Sequence, residues 1–408
     1  MYCFAFINTY NYSFNFLYYV LNNLVTKNIF EAMLIHVLAS GVSYTSYLII
    51  SSKIPISNKH FFNDSYSLKD WKYLLFPSMA VYVFSILMTK STYNQILANA
   101  QDFAYNNTIS NLLYPFKIFI YSIVIKLILT NKKIGLTGSF FLIFFLSSEL
   151  LRAFLGGSKA GILGILVFLS LIYLFKKSIN IKALILIILL IIPNIFFFIS
   201  MANIRNSIQR DNMWATMGLL EKVQYVYEES IDLNYFEAAG KLSETIANRL
   251  HGVRSLAVFM ERTPAVYGYW DGASYMNVLK SSIPRIMWKE KNMDDVANTI
   301  SYNYFDSAFT TNVSPFVWGE PYLNFGVTGV LLFACLISVL LKCCDIILRK
   351  FSGDFFVQVF IVFIVYSYIG YEGNAARIIP GIISQTIFFL AFYLALKIIR
   401  LSVHRISS

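Results

Sequence analysis

Glu320, His251 and a scatter of arginines and lysines are the candidates here for moving protons or holding phosphate. Glu320 stands in Trp318-Gly319-Glu320-Pro321-Tyr322-Leu323-Asn324-Phe325-Gly326-Val327-Thr328-Gly329, where a long mixed stretch gives way to an apolar run. A carboxylate at the aqueous lip of such a run is suited to take a proton from a hydroxyl. It is equally suited to cap a helix start and favour its dipole, and the two readings are compatible. His251 has the intrinsic acidity of a general base, set against the plainer reading of a solvated histidine on a helix face. Arg249 and Arg254 flank it, and Pro284-Arg285, Lys289 and Lys291 follow.

A second set of cations, Arg152, Lys159, Arg205, Arg210 and Arg377, lies beside apolar runs on the side where cations are otherwise scarce. Two readings stay open. They snorkel or pair locally, as the i, i+3 spacing of Glu149 and Arg152 allows, or they grip an anionic head group such as a pyrophosphate, for which arginine offers two parallel donors. Metal and nucleotide chemistry find no support. The four histidines are too far apart for a zinc motif, no phosphate loop or dinucleotide fingerprint occurs, and Asp294-Asp295 reads as solvated charge. No metal or cofactor is expected. Four cysteines, all in or beside apolar segments, imply no disulfide framework.

These residues must be positioned by elements that live in lipid. The chain has 408 residues, of which 57% are hydrophobic and only 13% charged, more apolar surface than a soluble core of this size can hide. Apolar runs near bilayer length fall at 2 to 21, 29 to 51, 73 to 90, 111 to 130, 136 to 155, 159 to 176, 181 to 201, 322 to 341, 354 to 371 and 378 to 399. The first, with no basic leader region and no small-residue cleavage site, reads as a span rather than a removable signal, and its many Asn and Tyr leave open a segment lying at the interface. The net charge of +11 sits mostly in alternate short loops, such as Lys132-Lys133, Lys176-Lys177 and Arg349-Lys350. That is the pattern of cations retained on the cytoplasmic side, not of a nucleic-acid binder. Both termini are therefore expected inside and residues 202 to 320 outside.

The external stretch reads as a folded cap. Phe236, Ala239, Leu242, Ile246, Leu250, Val253, Ala257 and Met260 recur at helical spacing, with Lys241, Glu244, Asn248 and Ser255 on the other face, and Thr263-Pro264 ends the helix. Its second half is rich in aromatic residues, among them Tyr267, Tyr269, Trp270, Tyr275, Trp288, Tyr302, Tyr304, Trp318 and Tyr322. Such rings stack on sugar faces or line a membrane interface. The expected fold is all-α: a polytopic transmembrane helix bundle of about ten spans with a helical periplasmic loop domain. It divides into residues 1–201 with about seven spans, the large loop 202–320, and residues 321–408 with about three.

The span count, the external basic face, Ser282-Ile283-Pro284-Arg285-Ile286-Met287-Trp288-Lys289-Glu290-Lys291, the Gly319–Gly326 segment with Gly329, and Gly157-Ser158-Lys159-Ala160-Gly161 together resemble the Wzy-type repeat-unit polymerases of bacterial O-antigen and capsule synthesis. The architectural likeness covers the whole chain, the motif likeness only those segments. The resemblance implies a GT-C-like, metal-independent glycosyltransferase at the periplasmic face of the inner membrane. Its donor would be a growing glycan on undecaprenyl pyrophosphate and its acceptor the next lipid-linked repeat unit. Membrane lipid and a chain-length regulator protein would be its partners, and nucleic acid would not. Glu320, Arg285 and His251 would then be catalytic, with Glu320 the first choice of base and His251 the second. Arg205, Arg210, Arg249, Arg254, Lys159, Arg377 and Lys291 would bind pyrophosphate or glycan. O-antigen ligases carry a histidine signature shortly before a comparable glycine pair, where this chain has Ser314-Pro315, so a ligase is the weaker alternative. A lipid-linked oligosaccharide flippase is the other, and a scaffold the third.

Overall fold

A computed structural model describes residues 24–53, 252–283, 296–306, 315–351 and 375–407, with scattered positions elsewhere, including parts of 16–21 and 354–364. The chain forms two compact units, Met1–Ser67 with Ile246–Ser408, and Leu68–Thr245. All the elements below belong to the first. They are helices: α1 Lys27–Lys53, α2 Gly252–Arg262, α3 Ala273–Ser282, α4 Val296–Phe305, α5 Phe316–Lys350 and α6 Ala375–Ser407. Among the described residues there is no strand.

Three helices are long and apolar enough to cross a membrane: α1 over Lys27–Ser51, α5, and α6 over Ile378–Ala395. They match the runs expected at 29 to 51, 322 to 341 and 378 to 399. The other seven runs lie outside the described residues or are described only in part. The chain is thus an all-α membrane protein in what is described of it.

α1 and α5 pack inside out relative to a soluble pair. On α1 the buried residues are Ile29, Ala32, Ile35, His36, Ala39 and Ser43, small or polar but for the two isoleucines, whereas Leu34, Val37, Leu38 and Leu48 face outward. Lipid is as apolar as leucine, so nothing drives leucine inward, and small residues let two backbones approach. Hydrogen bonds then join the seam. Ser43 Oγ donates to the Ala334 carbonyl at 3.1 Å, and Ser338 Oγ donates to the Ser43 carbonyl at 2.7 Å. Near the C-terminal ends the buried Lys342 donates to Ser51 Oγ at 3.0 Å and lies 3.7 Å from Asp345, which also accepts from the Tyr47 hydroxyl at 3.1 Å. The order of these contacts makes the two helices parallel.

α6 runs the same way. Glu320, near the start of α5, meets Ala375 at the start of α6. At the other end Asp354 is hydrogen-bonded to Tyr393, and Phe360 stacks on Phe389, so the segment after α5 returns antiparallel to α6. The three apolar helices therefore begin at one end, and α2, which packs on both α1 and α5, lies at that end with them.

α5 is two helices in one. Phe325 (φ −141°, ψ 18°) and Gly326 (φ 63°, ψ −150°) break it into an almost wholly buried first piece, Phe316 to Asn324, and a long apolar second piece. Gly326 takes a backbone conformation open essentially to glycine alone. Gly329 has no room for a side chain, because a Cβ there would lie 2.4 Å from the Pro321 carbonyl oxygen. The two glycines make and close a bend.

α2 ends at Thr263, as expected. Its buried side is wider than its spacing implied: Ser255 is fully buried with Leu256 and Phe259, while Met260 is only partly covered. Packing on two neighbours, α1 and α5, leaves α2 little polar face. In its last turn Arg262 donates to the Asn303 carbonyl at 2.6 Å and to Asp306 at 2.8 Å, which fastens the end of α4.

Candidate functional site

The site is built from a turn outward. Asp271 (φ 46°) and Gly272 (φ 88°) form a two-residue turn closed by Ala273 N–H donating to the Trp270 carbonyl at 2.8 Å. Both central residues have positive φ, the signature of a type I′ turn and the reason Asp-Gly occupies it. Trp270 N–H donates to the Leu323 carbonyl at 2.9 Å, so the turn is tied to the first piece of α5. α3 leaves the turn with Ser274 directed at Glu320.

Glu320 is 1% exposed. Its Oε1 accepts from Ser274 Oγ at 2.8 Å, and its Oε2 accepts from the backbone N–H of Ala375, the first residue of α6, at 2.7 Å. Asn324 Nδ2 donates to Ser274 Oγ at 2.8 Å and to the Glu320 carbonyl at 2.8 Å. The direction of this chain is fixed. Glu320's carbonyl can only accept, so Asn324 presents its amide nitrogen, and the serine proton must turn to the carboxylate. Asn324 Oδ1 is left as a buried acceptor with no hydrogen-bond partner among the described residues. A carboxylate on the first N–H of a helix also meets the positive end of its dipole.

Tyr275 adds a neighbouring donor. Its ring stacks on Phe325 at 6.3 Å. The other aromatics divide. Trp318, Tyr304 and Tyr322 are core residues, with Trp318 Nε1 donating to His36 Nδ1 at 3.0 Å and Tyr304 sharing a hydrogen bond with Thr263 at 2.7 Å. Tyr269, Trp288 and Tyr302 are exposed.

Of the residues singled out in the sequence, Glu320 lies at the centre of this arrangement. Arg254 is exposed on α2. Arg377 belongs to the first turn of α6, two residues after the amide that Glu320 binds. Arg285, His251, Arg205, Arg210, Arg249, Lys159 and Lys291 lie outside the described residues. Three participants were not anticipated: Ser274, Asn324 and the Ala375 amide. Asn324 follows Glu320 at i+4, a spacing that places two side chains on one helix face, and Asp271-Gly272 announces the turn that delivers Ser274. Nothing local announces Ala375, which is 55 residues from its partner. No family model matches the sequence, no curated protein matches it, and no solved structure matches the chain.

Ser274 is the link that can be removed most cleanly. Ser274→Ala is expected to lower stability by about 2 kcal/mol, the scale of a buried hydrogen bond to a charged group. Ser384→Ala, which removes only a local bond to the Gly381 carbonyl at 2.9 Å, should change it by less than about 0.5 kcal/mol. Equal unfolding midpoints for the two variants in detergent would count against the relay.

Proposed function

We propose that this chain is a membrane glycosyltransferase that lengthens a lipid-linked glycan, a repeat-unit polymerase of the Wzy type in O-antigen or capsule synthesis. Its substrates are undecaprenyl-pyrophosphate-linked oligosaccharides, and it works at the periplasmic face of the bacterial inner membrane. One observation supports the reading above others. The Gly319–Gly326 segment, which carries the sequence resemblance, forms a joint that holds a buried carboxylate on the N-terminus of α6, and Arg377 sits in that first turn.

In this reading Glu320 is a positioning residue. Both of its oxygens are engaged by the fold, and it fixes the start of α6. Arg377 and Arg285 neutralise the pyrophosphate of the donor, which departs as the anomeric carbon is attacked. The acceptor hydroxyl forms the new bond from oxygen to the anomeric carbon and passes its proton to His251 as base. No metal is required.

Purified full-length protein in liposomes, given lipid-linked repeat units, should convert them into a ladder of longer glycans. Arg285→Ala is expected to lower that activity more than Lys289→Ala at equal protein level. Units that stay single while crossing the vesicle membrane would replace the polymerase by a flippase.

A further inference from the structure

α3 has its polarity reversed. Ser274, Asn277 and Ser281 recur at i, i+3 and i+7, the spacing of one helix face. Ser274 and Asn277 are 3% and 1% exposed, and Ser281 is half-buried. Met276 and Leu279 lie on the opposite face and are 58% and 63% exposed, and Ile283, the extended residue that follows the helix, is 38% exposed. A helix facing water would be turned by half a revolution. The hydrogen bonds from Ser274 to Glu320 and from Asn324 to Ser274 hold it in the observed orientation.

The same inversion marks α1, where the buried residues are mostly small or polar and leucines are outside. We infer that α3 lies in the membrane, with Met276, Leu279 and the following Ile283 against the hydrocarbon of the bilayer. Three features of the surroundings support that occupant. First, α3 packs on α6, and the outward residues of α6, among them Ile383, Ile387 and Leu390, continue the apolar surface. Second, on the other side Tyr275 stacks on the exposed Phe325, next to the exposed Val327 at the start of the long piece of α5. All three helices thus carry exposed apolar residues. Third, three of the four backbone donors at the start of α3 are bonded within the protein. The N–H groups of Ala273, Tyr275 and Met276 donate to the carbonyls of Trp270, Gly272 and Gly272, and Ile283 N–H returns to Lys280. Backbone groups satisfied within the protein are the condition for entering hydrocarbon.

α3 does not cross. Ten residues extend about 15 Å, half of a hydrocarbon core of about 30 Å. It is a half-depth helix that enters from the end where α1, α5 and α6 begin, so the stretch between the spans is not wholly aqueous. Its polar side, against Glu320, and its lipid side are separated by one helix diameter. The inference holds whatever reaction, if any, the site performs.

Nitroxide labels on single cysteines test it in full-length protein in liposomes. Met276, Leu279 and Ile283 are labelled in turn, with Leu390 of α6 and Tyr302 of α4 as lipid and water references. The ratio of oxygen to nickel-chelate accessibility at the three positions should equal that at Leu390 and exceed that at Tyr302 several-fold. A ratio like that of Tyr302 would place the face in water and overturn the inference. Low accessibility to both reagents would mean a protein cover and overturn it equally. If a label lowers the unfolding midpoint, Leu279→Trp read by quenching from brominated acyl chains replaces it. Quenching as strong as that of Leu390→Trp supports the inference, and quenching no greater than that of Tyr302→Trp defeats it.

Discussion

Glu320→Ala is expected to unfasten the start of α6 and to cost about 3–5 kcal/mol, two lost hydrogen bonds to a charged acceptor plus the donors left behind. Ala375 N–H and Ser274 Oγ would remain in a site where Glu320 itself is 1% exposed. Glu320→Gln should recover part of the loss. Its amide oxygen satisfies Ala375, but its amide nitrogen then faces a serine oxygen that already accepts from Asn324. The predicted order of unfolding midpoints in detergent is wild type, then glutamine, then alanine, with polymer length falling in the same order. A carboxylate serving only as proton acceptor gives a different result, in which both variants unfold like wild type and both are equally inactive. That outcome would remove Glu320 from the positioning role.

Gly326→Ala is the second large effect expected. The new side chain meets two penalties at once: a backbone conformation that costs a non-glycine residue about 1–3 kcal/mol, and a Cβ 3.0 Å from the Tyr269 hydroxyl. Relief comes by straightening α5 through the break, which draws the Phe316 to Asn324 piece away from α6. Gly329→Ala attacks the same bend from inside, with a methyl 2.4 Å from the Pro321 carbonyl oxygen and 2.8 Å from Phe325 Cβ. Each variant is expected to lower the unfolding midpoint and to reduce elongation. Gly41→Ala, in open space on α1, should do neither. If Gly326 served only close helix packing, Gly326→Ala and Gly41→Ala would differ little.

The three described spans were legible because hydropathy is a local property. A run of apolar residues carries its own length, and the helices overshoot the expected ends, α1 from Lys27, α5 from Phe316 to Lys350 and α6 to Ser407. The break in α5 was not legible. Apolar residues continue through Phe325 to Val330, and a glycine that bends the chain looks in sequence like one that eases packing. Glu320 drew attention by its charge at a boundary, but what it binds was hidden. Its partners are 46 and 55 residues away, and one of them is a backbone amide, which no side-chain pattern records. Aromatic residues misled in a simple way. Trp318, Tyr304 and Tyr322 look like ligands or interface anchors, yet their polar tips are satisfied inside by His36 and Thr263.

The seam between α1 and α5 has a consequence for how the molecule is made. Its hydrogen bonds join residues 282 to 298 positions apart. During synthesis α1 therefore waits in the bilayer, with His36 and Ser43 lacking these partners, until most of the chain has emerged. A nascent chain halted before Trp318 would display that polar stripe to lipid or to quality-control proteases. Completion of α5 hides the stripe, so the last third of the polypeptide certifies the first.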